Sequence, residues 1–147
     1  MTSIIESNPQ LLAYQPAFLS LILLCLMVLI QGFLAGAIGY AKSEEIPGRP
    51  LQGTHKDQSF RIIRTYGNST ETLTMLLAAA FLAMLAGVNP TFVNWLVGLH
   101  LLVRIAYSGV YYAGYGKTGG GARTIIYVIG LFTNIALALL TVYAMLA

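Results

Sequence analysis

TLTMLLAAAFLAMLAGVNPTFVNWLVGLHLLV, residues 72–103, contains no charged side chain, and GVNP at residues 87–90 interrupts it near its middle. A helix needs roughly 20 apolar residues to cross a bilayer, so the stretch is too long for a single span. Glycine followed closely by asparagine and proline is a strong turn signal. The stretch therefore predicts two membrane-spanning helices that are joined by a tight loop.

Two further uncharged stretches, residues 7–41 and 124–147, each predict one more membrane-spanning helix. The composition agrees, because only 9% of the 147 residues are charged, whereas a soluble domain has about 25%. We expect helices near residues 13–40, 60–86, 91–115 and 122–145. The runs are too long for strands and do not alternate between apolar and polar residues. The predicted fold is all-α, an integral membrane four-helix bundle that forms a single domain over residues 1–147.

The basic residues are concentrated on one side of the predicted bundle. They are Lys42, Arg49, Lys56, Arg61, Arg64, Arg104, Lys117 and Arg123. All except Arg104 lie in the first or third loop or at the helix ends beside those loops, and the termini and second loop have none. Cytoplasmic loops carry an excess of Lys and Arg. We therefore expect a multi-pass protein of a bacterial inner membrane or an endoplasmic-reticulum-type membrane, with both termini outside the cytoplasm.

Arg104 and Glu71 are ionisable residues inside the predicted spans. Arg104 precedes Tyr115 by 11 residues, which places it roughly 16 Å from the cytoplasmic end of its helix. A charged side chain at the centre of a span costs about 2.5 to 3.5 kcal/mol and almost always faces the bundle interior, where it is paired. Glu71 is the only acidic residue inside the spans, so we expect a structural ion pair between Glu71 and Arg104.

Three of the predicted helices carry polar side chains on one face of their cytoplasmic halves. These residues are Arg61, Arg64, Asn68 and Glu71 in the second helix, Arg104, Tyr107, Tyr111 and Tyr115 in the third, and Arg123, Tyr127 and Asn134 in the fourth. Spacings of three and four residues place side chains on one helical face. Such faces are penalised in lipid, so we expect them to converge. Because Arg binds carboxylates through a planar fork, they predict a site for a small, multiply charged ligand.

The stretch Arg64-Thr-Tyr-Gly-Asn68-Ser-Thr-Glu71 resembles a pattern of the MAPEG superfamily, the membrane-associated proteins in eicosanoid and glutathione metabolism. The family pattern is an arginine, an asparagine four residues later and a glutamate three residues after that. Similar matches follow in the third and fourth helices, at Arg104, Tyr107, Tyr111, Arg123 and Tyr127. The resemblance covers residues 60–127 and is carried by motifs that occur in the family's order.

The resemblance implies a homotrimer that binds glutathione between neighbouring subunits near the cytoplasmic side. The residues that would bind glutathione are Arg64, Asn68, Glu71, Tyr107, Tyr111 and Tyr127. Arg123 would act in catalysis by stabilising the glutathione thiolate, and Arg104 would hold Glu71. The expected function is that of a membrane-bound glutathione transferase, similar to the microsomal ones, which joins glutathione to hydrophobic electrophiles or reduces lipid hydroperoxides. The expected partners are the bilayer, glutathione, hydrophobic small molecules and further copies of the chain, with no nucleic acid.

Two other functions remain open from the sequence. One is a non-catalytic, lipid-binding membrane scaffold of the same family, for which Gly67 leaves room because some members have a basic residue at that position. The other is a small proton-coupled drug exporter. Such exporters rely on a carboxylate in the first helix, and the first predicted helix of this chain has no charge.

The remaining polar and small residues have simpler expectations. His55 lies in a polar loop, where we expect it to be solvated, and His100 is expected to make an interhelical hydrogen bond. Two histidines without ligand spacing predict no metal site. Gly32, Gly36 and Gly39 suit close packing of the first helix against its neighbours.

Overall fold

The computed structural model describes residues 8–41, 53–116 and 120–147, and within these ranges the chain is entirely helical apart from turns and loops. A short helix precedes four long ones: α1 Pro9–Leu12, α2 Gln15–Ala41, α3 Gln58–Leu85, α4 Pro90–Ala113 and α5 Ala122–Leu146. Each long helix is long and apolar enough to cross a bilayer. The long helices begin and end within two residues of the predicted positions, whereas α1 was not predicted. Three of the basic residues behind the topology prediction lie outside the described ranges, namely Lys42, Arg49 and Lys117.

The turn between α3 and α4 shows why the long uncharged stretch divides into two helices. Gly87 has a φ of 72°, a left-handed conformation that glycine adopts without steric cost. The side chain of Asn89 then caps α4 by accepting a hydrogen bond of 2.9 Å from the backbone N–H of Thr91. Pro90 occupies the first turn of α4, where its missing N–H is not needed.

α3 and α4 form the centre of the bundle, because they pack against each other and each also packs against both α2 and α5. Four residues connect α3 to α4 and eight connect α4 to α5, and such short connections make each of these pairs antiparallel. As a result the start of α3, the end of α4 and the start of α5 meet at one end of the molecule. This is the end at which the polar residues were predicted to converge.

The opposite end of the bundle has a closed apolar core. Its buried residues include Ala17, Leu76, Ala80, Val93 and Leu137, each with no exposed surface. The hydroxyl of Tyr14 donates a hydrogen bond of 2.5 Å to the carbonyl of Val88. The amide of Asn94 fixes the start of α2 to α4 by donating to the Ala13 carbonyl at 2.9 Å and accepting from the Ala17 N–H at 3.1 Å. Buried apolar side chains and hydrogen bonds between the helices therefore close this end of the bundle.

Buried polar side chains join the helices between these two ends. His100 Nδ1 lies 2.7 Å from Thr133 Oγ1, which confirms the predicted interhelical hydrogen bond. Asn134, predicted on the polar face of the last helix, donates to the Thr72 carbonyl at 3.3 Å and so joins α5 to α3. On the other side of α4, Gln31 donates to Ser108 at 3.0 Å. Each bond satisfies a polar group that would be costly to bury alone.

The glycines of α2 differ in their surroundings. An added Cβ at Gly32 would lie 3.1 Å from the Tyr66 ring of α3, so this position requires the close approach that was predicted. Gly39 is buried as well. Gly36, in contrast, is exposed and has nothing within 4 Å of a Cβ built on it, so the packing role predicted for it is wrong within this chain.

Candidate functional site

A cavity of about 350 Å³ opens where α3, α4 and α5 meet at the polar end of the bundle. Its lining residues are His55, Arg64, Asn68, Glu71, Tyr107, Tyr111, Arg123, Thr124 and Tyr127. All the residues that the sequence pattern assigned to glutathione or its thiol are among them. Residues more than 60 positions apart in the sequence thus form one wall, because the helices bring their polar faces together.

The α3 side of the cavity supplies one positively charged and one negatively charged side chain. Arg64 and Glu71 are exposed to the cavity, and Asn68 lies between them and is half-buried. The Asn68 side chain donates a hydrogen bond of 2.6 Å to the Tyr107 hydroxyl of α4. This bond fixes the α3 face against the α4 face, and it leaves both charged groups facing the cavity.

Three tyrosine rings form the apolar part of the wall. The centre of the Tyr107 ring lies 5.6 Å from that of Tyr111 and 6.0 Å from that of Tyr127, with tilted planes. Tyr107 and Tyr111 are buried, with exposed fractions of 3% and 2%. Such tilted aromatic pairs are favourable, and together they give the cavity a rigid side next to its charged residues.

Arg123 and Tyr111 contact each other across the α4–α5 boundary. The guanidinium carbon of Arg123 lies 4.6 Å from the centre of the Tyr111 ring, within the range of a cation–π contact. Arg123 is the second residue of α5, close to the positive end of the helix dipole. The position combines a cation with an electropositive helix terminus.

His55 was expected to be solvated, but the structure places it in the cavity wall instead. Its Nδ1 lies 2.6 Å from the Tyr111 hydroxyl and 3.3 Å from Arg123 Nη1, and its ring makes an edge contact with Phe60 at 5.2 Å. Burial lowers the pKa of His55, and the charges of Arg123 and Arg64 lower it further. Neither His55 nor Thr124 belongs to a recognisable spacing, so no sequence signal identified them.

Arg61 begins the polar face of α3, yet it does not line the cavity. Its Nη1 donates to the carbonyls of His55 and Lys56 at 3.0 and 2.8 Å, and its Nη2 donates to the Tyr112 carbonyl at 3.3 Å. Arg61 therefore ties the segment before α3 to the end of α4. The helical spacing grouped it with the ligand-facing residues, but its contacts are with the backbone.

Arg104 is buried, as its depth in the membrane predicted, with only 1% of its surface exposed. It donates a hydrogen bond of 2.9 Å to Ser69, and its guanidinium lies 4.7 Å from the centre of the Tyr107 ring. Its Nε and Nη1 have no hydrogen-bond partner among the described residues. Arg104 thus packs against the Tyr107 ring and does not line the cavity.

No hydrogen bond joins the predicted ion pair of Glu71 and Arg104 in the described part of the chain, although the Glu71 carboxylate still attracts the Arg104 guanidinium. Glu71 faces the cavity and is exposed, whereas Arg104 faces Ser69 in the interior. The physical reason is that Ser69 and Glu71 are two residues apart on α3 and therefore point in different directions. The carboxylate of Glu71 is consequently available to a ligand.

The cavity is suited to an anionic or zwitterionic ligand. Two guanidinium groups, those of Arg64 and Arg123, face it together with one carboxylate, that of Glu71. Asn68 and the tyrosine hydroxyls supply neutral hydrogen-bonding groups. In the described ranges, no three His, Cys, Asp or Glu side chains lie close enough to form a metal site.

Comparison with known families yields one match. The model of the MAPEG family matches residues 14–143. The match begins just before α2 and ends within α5, so it contains every residue of the cavity wall. No curated protein and no solved structure matches the chain significantly.

Proposed function

The chain belongs to the MAPEG family, and from this membership and the cavity we propose that it is a membrane-bound glutathione transferase. It is an integral, multi-pass membrane protein with four helices that can cross a bilayer. The observation that carries the proposal is the cavity itself. Residues of three helices that match the family pattern line one space of about 350 Å³, a volume within the range of small-molecule sites.

The charges of the cavity suit glutathione. At neutral pH glutathione has two carboxylates, one ammonium group and a thiol. Arg64 offers a bidentate partner for a carboxylate, and Glu71 offers a partner for the ammonium group. Asn68, Tyr111 and Tyr127 can bind the peptide groups between them.

Arg123 is the residue that we assign to the thiol. A cation near a sulfur atom favours the thiolate over the thiol, and so does the N-terminus of a helix. Arg123 lies in the first turn of α5 and borders the cavity. It therefore lowers the thiol pKa of bound glutathione and makes the nucleophile available near neutral pH.

The reaction conserves atoms and electrons with glutathione and the acceptor alone. The thiolate attacks an electrophilic carbon, a carbon–sulfur bond forms, and the leaving group departs with its electron pair, as halide from an aryl halide. With a lipid hydroperoxide, the thiolate attacks the terminal oxygen, the oxygen–oxygen bond breaks, and the alkoxide takes up a proton. A second glutathione then converts the sulfenic acid to glutathione disulfide and water.

A homotrimer completes the proposal. Arg64 and Glu71 remain exposed within one chain, and a neighbouring copy would cover them and shield the ligand from water. The number of copies rests on the family resemblance. Hydrophobic acceptors would then reach the thiolate from the bilayer, past the apolar surfaces of the helices.

The proposal is tested with purified protein in lipid nanodiscs. Addition of glutathione should produce the ultraviolet absorbance of a thiolate at a pH where free glutathione is protonated, and an aryl halide should be conjugated. S-Methylglutathione has no ionisable thiol and should bind without this absorbance. The control variant Tyr143→Phe should give the same thiolate absorbance and conjugation as the wild type, because this tyrosine is exposed and lies near the far end of α5.

Absence of both the thiolate signal and conjugation, in protein that remains folded, would overturn the transferase proposal. Binding of fatty acids by that same inactive protein would then favour the lipid-binding scaffold. Conjugation of an aryl halide without reduction of hydroperoxides would support the transferase and remove the peroxidase reaction.

A further inference from the structure

We infer that His55 is a positioning residue of the cavity, a neutral hydrogen-bond acceptor that fixes Arg123 and Tyr111 in the orientation that thiol activation requires. The inference rests on the proposed function and deepens it. Neither the family match nor the sequence pattern assigns a role to this histidine. It is carried by the geometry of the segment at residues 53–57, which precedes α3 and contributes a side chain to the cavity wall.

Both neighbours of His55 Nδ1 are able to donate to it. A guanidinium has only donors, so a hydrogen bond from Arg123 Nη1, 3.3 Å away, requires the lone pair of Nδ1. The Tyr111 hydroxyl, 2.6 Å away, is the closer partner and is able to donate to the same atom. An imidazole that accepts from these groups is neutral and carries its proton on Nε2. In this form it links α4 and α5 through their cavity-facing side chains.

The position of His55 is fixed by contacts that do not involve the cavity. Arg61 binds the carbonyls of His55 and Lys56, at 3.0 and 2.8 Å. The carboxylate of Asp57 accepts from the Thr54 N–H at 2.9 Å and closes the turn. A segment held by its backbone can present one side chain in a defined orientation, as a positioning residue must.

The charges that surround His55 favour its neutral form. Arg123 faces it from α5, Arg64 and Arg61 face it from α3, and the Tyr111 hydroxyl faces it from α4. Burial and the two cavity arginines lower the pKa of His55, so it is neutral at neutral pH. Protonation in acid would remove the acceptor and place a cation beside Arg123. The orientation of Arg123, and with it thiol activation, would then be lost.

Two substitutions distinguish the role of His55 as a hydrogen-bond acceptor from the effect of its side-chain volume. His55→Asn keeps an oxygen near the position of Nδ1, whereas His55→Leu keeps volume but no acceptor. We expect His55→Leu to lower kcat for aryl halide conjugation about tenfold, with a much smaller change in the KM for glutathione, because a hydrogen bond to a charged group is lost. His55→Asn should recover most of this loss. Lys56→Gln, an exposed change in the same segment, is the control that should leave kcat unchanged.

The pH dependence of the conjugation rate distinguishes a hydrogen-bond acceptor from a residue with a purely structural role, because a purely structural role would not change it. Asparagine cannot be protonated in this range, so the ratio of the His55→Asn rate to the wild-type rate should rise as the pH falls. Equal rates for the Asn and Leu variants would overturn the inference, and so would a ratio that does not change with pH.

A measurement without glutathione separates this inference from the proposed function. Nitrogen NMR of labelled histidine should show His55 neutral at neutral pH with its proton on Nε2, and Arg123→Gln should raise its pKa. His100, the second of the 2 histidines, serves as an internal reference that this substitution leaves unmoved. The inference is overturned if His55 is protonated on Nδ1 at neutral pH. It is also overturned if Arg123→Gln leaves the pKa of His55 unchanged. An expected NMR result in a protein without turnover would support the positioning geometry and count against the transferase alone.

Discussion

Arg64 and Arg123 border the same cavity but have different surroundings, and we expect them to contribute to different steps. Arg64 is exposed, whereas Arg123 lies against the Tyr111 ring in the first turn of α5. Arg123→Ala should abolish the thiolate absorbance and lower conjugation, since each unit of thiol pKa corresponds to about 1.4 kcal/mol. Arg64→Ala should weaken glutathione binding first. Calorimetry with S-methylglutathione measures affinity, and absorbance measures the thiolate.

The hydroxyl of Tyr107 is the rival donor to the thiolate, because it also lines the cavity. It accepts a hydrogen bond from Asn68 and is therefore free to donate its own proton. Full turnover of Arg123→Ala together with inactivity of Tyr107→Phe would show that the activating residue is the tyrosine.

The buried Arg104 should be coupled more strongly to Ser69 than to Glu71. Only Ser69 accepts a hydrogen bond from the Arg104 side chain in the described structure, and bonds to charged groups contribute about 1.5 to 3 kcal/mol. Residues in contact show coupling energies of roughly 0.5 to 3 kcal/mol in double-mutant cycles. Thermal unfolding should give such a coupling for Arg104→Met with Ser69→Ala, and a smaller one for Arg104→Met with Glu71→Gln. A larger coupling energy for Arg104→Met with Glu71→Gln would instead support the ion pair predicted from the sequence.

At the scale of elements, α2 approaches α3 closely at one glycine. A leucine at Gly32 would force the Tyr66 ring to shift, since even a Cβ would lie 3.1 Å from it. Overpacking of this kind costs about 1 to 3 kcal/mol. Gly36→Leu is the matched control on the same helix, where no atom lies within 4 Å of an added Cβ. We expect Gly32→Leu, and not Gly36→Leu, to lower the melting temperature in nanodiscs; equal effects would exclude this contact.

The extent of each helix was predictable because uncharged length and the GVNP turn at residues 87–90 are local signals. The convergence of Arg64, Tyr107 and Arg123 was predictable because polar faces avoid lipid. The partner of Arg104 was not, because a choice between Ser69 and Glu71 depends on the relative rotation of two helices. His55 was missed for a related reason: its place in the wall is set by Arg61, through backbone carbonyls that carry no sequence pattern.

At the scale of the whole molecule, the placement of charge predicts the orientation in the membrane. Basic residues flank the loop before α3 and the loop before α5, and none lies near α1 or the end of α5. We expect cysteines at Asn8 and Lys56, introduced after Cys25 is replaced, to be labelled from opposite sides of sealed vesicles. Labelling of both from the same side would exclude the predicted topology.

The number of subunits is a separate prediction at this scale. Exposed Arg64 and Glu71 beside an open cavity suggest a neighbouring copy, and the family resemblance suggests three. Native mass measurement in mild detergent should give three times 15.8 kDa plus bound detergent. A monomer or dimer that conjugates glutathione at full rate would refute the trimer and leave the reaction intact.

The closed apolar core at the far end of the bundle has a consequence for traffic across the membrane. Ala80, Val93 and Leu137 have no exposed surface there, and the Tyr14 and Asn94 hydrogen bonds fasten the helices around them. This core leaves a hydrophilic molecule in the cavity no path along the bundle axis to the far end. We therefore expect a polar product of the proposed reaction to leave on the side from which its polar precursor entered. Export of that product would require a separate transporter.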